Sequence, residues 1–205
     1  AVKETFRDRF YTRYGGEVQD GWTLMDIGAG VGDFSILAAH SHPSVRVLAF
    51  EPFAGSFELL CKNIEANHLE NIKPFEQAVW REAGMVTLDQ TDGEPLQISS
   101  NQAGGDRKPQ AVSAVSLQDV LDNQNIDRID LLKLACEGAE YPILMVAAQE
   151  TLSKVDRIIM EYHDLDEERN HLTLGASLLD AGYRVFVWEN IVHDDIGYLF
   201  AFREG

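Results

Sequence analysis

Asp26-Ile27-Gly28-Ala29-Gly30-Val31-Gly32-Asp33-Phe34 is the stretch whose reading decides the fold. It follows Thr23–Ile27, a short apolar run of strand character. It leads into Asp33–His40, which reads as a helix that Pro43 prevents from continuing. Glycines between a strand and a helix let the chain reverse tightly and let a ligand approach the backbone. In a doubly wound sheet such a ligand sits at the carboxyl ends of the strands.

The same alternation extends on both sides of this turn. Val45–Phe50 is a second strand, and Phe57, Leu60, Cys61 and Ile64 fall at i, i+3, i+4 and i+7 on one face of a helix. Ile72–Val79 reads as a third strand. Further on, strand Ile129–Cys136 precedes helix Pro142–Leu152, and strand Arg157–Tyr162 precedes helix Asn170–Ala181. Tyr183–Trp188 and Gly197–Phe202 close the chain as two strands with no helix between them. Strand–helix units followed by a hairpin predict an α/β, doubly wound, mostly parallel sheet with one reversed strand. The rhythm breaks between about residues 80 and 127. There, Met85–Leu88 and Val112–Ser116 read as a hairpin inserted between core elements, with a polar tip over Ser99–Gln110, followed by a short helix over Leu117–Asn123. At the start, Phe6, Phe10 and Tyr14 stand at four-residue steps. They predict a helix over Lys3–Tyr14 whose apolar stripe packs on the core or covers the ligand.

Composition bounds the rest. At about 150 residues per domain, 205 residues make one domain spanning 1–205 the expectation. An apolar fraction of 45% and a charged fraction of 25% exclude a disordered tail, a collagen-like repeat and a disulfide-knit mini-protein. With 17 basic and 34 acidic residues the net charge is −17, which repels nucleic acid backbones and anionic membranes. Cys61 and Cys136 form neither a disulfide framework nor a zinc-ligand spacing. They read as buried free thiols in a reducing cytoplasm. No apolar run approaches the ~18 residues a membrane helix needs.

The turn also bears on its ligand. Glu51 ends the second strand 23 residues after Gly28, where a carboxylate can accept hydrogen bonds from both hydroxyls of a ribose. A dinucleotide fingerprint has the form G-x-G-x-x-G. Here the third glycine comes one residue early, and Asp26 would repel a pyrophosphate. A carboxylate at that place suits a ligand with a cationic amino-acid end. S-adenosylmethionine, with an ammonium, a sulfonium and an adenosine, fits best. A dinucleotide and a purely structural turn are the alternatives.

Together with Glu51-Pro52, Gln77-Ala78-Val79, Val115-Ser116-Leu117-Gln118-Asp119-Val120-Leu121 and Asp130-Leu-Leu-Lys-Leu-Ala-Cys-Glu137-Gly138-Ala139-Glu140, the glycine turn resembles the FkbM family of S-adenosylmethionine-dependent methyltransferases. The resemblance runs from about Thr5 to Arg203. It implies a Rossmann-like class I methyltransferase fold, with a seven-stranded sheet whose last strand is reversed. It implies O-methylation of a hydroxyl on a small metabolite, polyketide or sugar. Asp26, Gly28, Ala29, Gly30, Glu51, Pro52 and Ala78 are the expected donor-binding set, Ala78 lying beside the adenine. The family often has Asp where this chain has Ala135 and Gln118. Ala135 keeps open a non-catalytic S-adenosylmethionine-binding domain, and an NAD-dependent oxidoreductase is the remaining rival.

A hydroxyl acceptor needs a base or a metal near the transferred methyl group. Glu137 follows the fourth core strand, while Glu161, His163 and Asp164 cluster at the end of the fifth. Glu137, His163 and Glu161 are the expected catalytic residues. His163 is placed as general base, and Glu137 contacts the donor, orients the acceptor, or merely caps the following helix. Glu161 is expected to point at His163 or Lys133, and Lys133 to pair with Glu161 or Glu137, because an unpaired buried ammonium is costly. The spacing is no diagnostic metal motif, and no metal ligand is assigned. The expected partner is a small-molecule or glycan hydroxyl acceptor, with no nucleic acid and no membrane.

Overall fold

The computed structural model describes residues 17–91, 94–95, 108–190 and 192–204. The helix expected over Lys3–Tyr14 and residues 99–107 of the polar tip lie outside them. The sheet around the glycine turn is built from β1 (Thr23–Ile27), β2 (Arg46–Phe50), β3 (Ile72–Phe75), β8 (Leu131–Leu134), β9 (Arg157–His163), β10 (Arg184–Glu189) and β11 (Ile196–Phe202). Its seven strands lie in the order β3-β2-β1-β8-β9-β11-β10. β1 is central and pairs in parallel with β2 and β8. β11 runs antiparallel to both of its neighbours, β9 and β10. The expected doubly wound sheet with a reversed last strand is therefore the observed one, and that strand is wedged between two others.

The parallel strands are buried because helices cover both faces. One face carries Met25, Ile27, Leu132 and Leu134 against α3 (Leu117–Gln124), α4 (Glu140–Leu144) and α6 (His171–Asp180). The other carries Leu24, Val47, Ala49 and Leu131 against α1 (Asp33–Ser41) and α2 (Ala54–Ala66). Two helices start at side-chain caps. Ser116 and Asp119 form a capping box on α3, as Asn170 and Thr173 do on α6.

Two elements differ from the sequence reading. The run Ile72–Val79 is not one strand. β3 pairs with β2, while β4 (Ala78–Trp80) pairs with β7 (Lys108–Ser116) in a second sheet of order β4-β7-β5-β6. Pro74, which has no N–H, is tolerated because β3 is an edge strand. The segment Pro142–Leu152 is likewise two short helices, α4 and α5 (Gln149–Ser153). The break leaves Met145 and Val146 exposed while Leu152 returns to the core. The hairpin read from the sequence appears as β5 (Gly84–Thr91) antiparallel to β7, with β6 (Glu94–Pro95) pairing along β5.

Lys133 sits inside an apolar strand, and the register explains how. Asp26 and Lys133 are direct partners across β1 and β8 and share the face of Leu24 and Leu131. Lys133 Nζ lies 2.8 Å from Asp26 Oδ1 and donates to the Gly28 carbonyl at 2.9 Å. Ser35 Oγ on α1 donates to Asp26 Oδ2 at 2.6 Å. The partner expected for Lys133 was Glu161 or Glu137; the structure sets the cross-strand Asp26 beside its ammonium. Removing one member of a buried pair strands the other charge. Lys133→Met should therefore lower the unfolding free energy by about 3–5 kcal/mol in urea titrations, and Asp26→Leu added to it should restore much of the loss.

Candidate active site

The glycine turn is built by close approach. Gly28 has φ +75°, and a Cβ there would lie 2.0 Å from the Ala135 carbonyl oxygen, where the chain leaves β8. Only a residue without a side chain lets the two strand ends pack so tightly. Gly30 differs, since its φ is +57° but a Cβ would meet nothing within 4 Å. The turn is thus closed toward β8 at Gly28 and open at Gly30. Its amides are tied down. Gly28 and Ala29 both donate to the Phe50 carbonyl at 3.0 Å. Gly30 donates to Glu51 Oε2 at 2.8 Å, and Phe53 donates to Glu51 Oε1 at 3.0 Å. Each Glu51 oxygen so takes one backbone N–H and keeps further lone-pair capacity. Burial pushes the Glu51 carboxyl above its usual range, against the pull of the Phe53 and Gly30 amides.

The remaining expected donor contacts fall into place unevenly. Asp26 was expected to meet the cationic end of the ligand directly. Its carboxylate is 0% exposed and is held by Lys133 and Ser35, so it shapes the turn from behind. Ala29 is buried and Pro52 half-buried beside Glu51. Ala78 packs its methyl group among Leu88, Val112 and Ala114 in the core of the small sheet, with Phe53 and Trp80 against it.

At the ends of β8 and β9 the chain gathers charge. Glu137 has φ +52° and Gly138 φ +97°, two successive left-handed residues that turn the chain sharply after β8. Glu137 does not cap the helix that follows, whose N-cap is Ala139 with no side-chain bond. Its Oε2 lies 3.1 Å from His163 Nε2. Glu161, two residues before His163 on β9 and so on the same face, places Oε1 3.6 Å from the same nitrogen. Glu140 faces the other side of the ring, with Oε1 3.5 Å from His163 Nδ1. Tyr141 Oη donates to the His163 carbonyl at 2.8 Å and fixes the end of β9.

Glu137, Glu161 and His163 thus come together as the sequence suggested. One polar atom from each lies within 4.8 Å of the others, compact enough to grip a cation. Asp164 leaves the group: it binds His171 Nδ1 at 2.7 Å and the His171 amide at 2.7 Å, anchoring the start of α6. Burial alone would lower the pKa of His163. The Glu137 and Glu140 carboxylates outweigh it and push the value up to about 10. That shift favours the charged form of the ring, which sets a positive charge among the carboxylates. A ring held toward its charged form is less available as a base than a free imidazole, and Glu137 and Glu161 are the carboxylates beside it. Glu140 was missed as a site residue. Its signal in the sequence was its place at the end of the Asp130–Glu140 run that carries the family resemblance. Cys61 and Cys136 are free and half-buried, and burial keeps the Cys136 thiol protonated.

A glycine turn at β1, a carboxylate at the end of β2 and a charged cluster at the tips of β8 and β9 define an S-adenosylmethionine-dependent methyltransferase of the doubly wound class. The profile of the methyltransferase FkbM domain matches residues 26–185. The chain belongs to that family. The 31-O-demethyl-FK506 methyltransferase FkbM of Streptomyces tacrolimicus is 28% identical over 193 residues, covering 80% of this chain and 74% of that protein. The crystal structure of methyltransferase FkbM from Methylobacillus flagellatus shares the fold with a TM-score of 0.65 at 14% identity, covering 94% of this chain and 48% of that one. The N-terminal domain of EvdMO1, solved with SAH bound, does so with a TM-score of 0.55 at 12% identity, over 97% of this chain and 79% of that chain.

Two measurements check this geometry. Gly28→Ala should destabilise the protein far more than Gly30→Ala in thermal unfolding. The second change carries only the left-handed backbone cost of about 1–2 kcal/mol. The His163 pKa is raised on folding from 6.5 to about 10. Its contribution to stability is therefore complete below pH 6.5 and fades as pH rises through about 10. The stability gap between wild type and His163→Gln, measured in urea, should shrink steadily between those limits.

Proposed function

We propose that this chain transfers a methyl group from S-adenosylmethionine to a hydroxyl oxygen of a small metabolite, polyketide or sugar, in the cytoplasm. One observation carries the reading. The glycine turn with Glu51 and the Glu137–Glu161–His163 cluster stand on the carboxyl edge of four contiguous parallel strands, β2, β1, β8 and β9. S-adenosylmethionine supplies an electrophilic methyl group on a sulfonium. The protein's part is to bind, align and remove a proton.

The cradle fits an adenosine. Glu51 is 4% exposed, fixed by two backbone amides, and has lone pairs left for a ribose diol. The open side of Gly30 leaves space for a ligand above the turn. On the acceptor side, Glu137 and Glu161 are oriented by hydrogen bonding and charge from the His163 imidazolium. Either carboxylate can take the hydroxyl proton as the oxygen attacks, while the imidazolium limits their mutual repulsion. The residue changed relative to the family's usual Asp, Ala135, contributes its main chain to the Gly28 contact. Carboxylates two residues further on and on β9 make a non-catalytic reading unnecessary. The net charge of −17 favours neutral or cationic acceptors over nucleic acid or an anionic membrane. Among the described residues, no helix is long and apolar enough to cross a bilayer.

Calorimetric titration with S-adenosylmethionine and S-adenosylhomocysteine tests the donor site. Wild type should bind in the micromolar range. Glu51→Ala should weaken binding at least tenfold, about 1.4 kcal/mol. Incubation with donor labelled in the methyl carbon and a panel of hydroxylated sugars and polyketides should place the label in a methyl ether. A folded wild type that binds neither donor nor product overturns the proposal. Label found in a methylamine overturns its oxygen specificity.

A further inference from the structure

Glu140 takes no part in the donor cradle or in the acceptor-facing pair, yet its carboxylate is fully buried. Its residue is 0% exposed, and Oε2 has no hydrogen-bond partner among the described residues. Oε1 lies 3.7 Å from the Cys136 thiol and 3.5 Å from His163 Nδ1. A thiol is a weak donor, and a carboxylate taken out of water without a compensating charge is costly. Leucine or glutamine would fill the same space without that cost. His163 is buried, and its ring stands between Glu140 on one side and Glu137 with Glu161 on the other.

We propose that Glu140 is a positioning residue acting through His163: its buried carboxylate anchors the ring at Nδ1, so that Nε2 holds Glu137 and Glu161 together at the acceptor end of the site. The assignment rests on the methyltransferase reading only in calling that end the acceptor side. The arrangement itself is a chain of groups. The charged groups facing the ring are Glu140 from α4, Glu137 from the turn after β8 and Glu161 from β9 itself. The partner of His163 across β11 is Ile196, which carries no charge. At Nδ1 the contact is ionic, since no well-aligned acceptor meets that nitrogen. Charge at position 140, more than hydrogen-bond geometry, is therefore what the ring responds to. With Glu140 neutral, the ring loses the attraction that keeps both nitrogens protonated. Nε2 then no longer has to donate, and Glu137 is released from its 3.1 Å contact.

The test uses the whole chain, labelled with 15N in histidine and 13C in glutamate side chains. In wild type at pH 8, the two ring nitrogens of His163 should both be protonated. In Glu140→Gln, the His163 midpoint should fall by at least one pH unit, and the Glu137 carboxyl signal should lose its dependence on that titration. Affinity for S-adenosylhomocysteine, measured on the same samples, should change less than twofold, because the donor cradle lies at β1 and β2. A His163 that is neutral at pH 8 in wild type, or one whose midpoint is unmoved in Glu140→Gln, overturns the proposal. Loss of product binding in wild type would instead overturn the methyltransferase reading and leave the ring assignment to these signals. Should Glu140→Gln fail to fold, His163→Gln decides. There the 13C carboxyl signals of Glu140 and Glu137 should both move from their wild-type positions, and signals that stay in place sink the idea.

Discussion

The buried pair between Asp26 and Lys133 is the constraint around which this protein is arranged. Two ionised groups in the middle of a sheet are tolerable only if they meet each other with good geometry and their remaining valences are used. Here those demands are shared among different elements. β1 supplies the acid and β8 the base, in register. α1 sends Ser35 to the second carboxylate oxygen, and the glycine turn sends the Gly28 carbonyl to the ammonium. The pair therefore ties the central strand, its neighbour, the first helix and the turn into one unit. Gly28 is then drawn so near Ala135 that no side chain fits between them.

That unit sets the edge on which the chemistry sits. Holding the ends of β1 and β8 together fixes the turn against the exit of β8. Two residues beyond the contact begins the left-handed pair Glu137 and Gly138, which turns the chain sharply. The donor cradle and the acidic cluster are thus two consequences of the same packing. The chemistry of the cluster follows from its population. Glu137 and Glu140 raise the proton affinity of the ring between them, and the ring becomes the group that organises its neighbours.

Much of this was legible in the residues. β1 was read as Thr23–Ile27 and is found there. The reversed final strand followed from a hairpin with no helix inside it. Glu51 was placed by the sequence at the end of the second strand, and it stands there, bound to the Gly30 and Phe53 amides. The misreadings share a cause. Ile72–Val79 is continuously compatible with a strand, and nothing local says that its two halves join different sheets. Pro142–Leu152 has helical content throughout, and only packing requires it to break. Lys133 was known to need a partner, but the sequence offered several acids, and the choice depended on which strand lies beside which.

The sequence by itself determined the class of fold, the glycine turn and the residue types available for binding and proton transfer. These depend on local periodicity and on chemistry that each residue carries alone. Only the tertiary structure decided that Asp26 pairs with Lys133 behind the turn, that Asp164 serves α6, and that Glu140 stands behind His163. Those outcomes are set by distances between strands far apart in the chain. A carboxylate's role follows from which charge lies within about 4 Å and whether water can reach it.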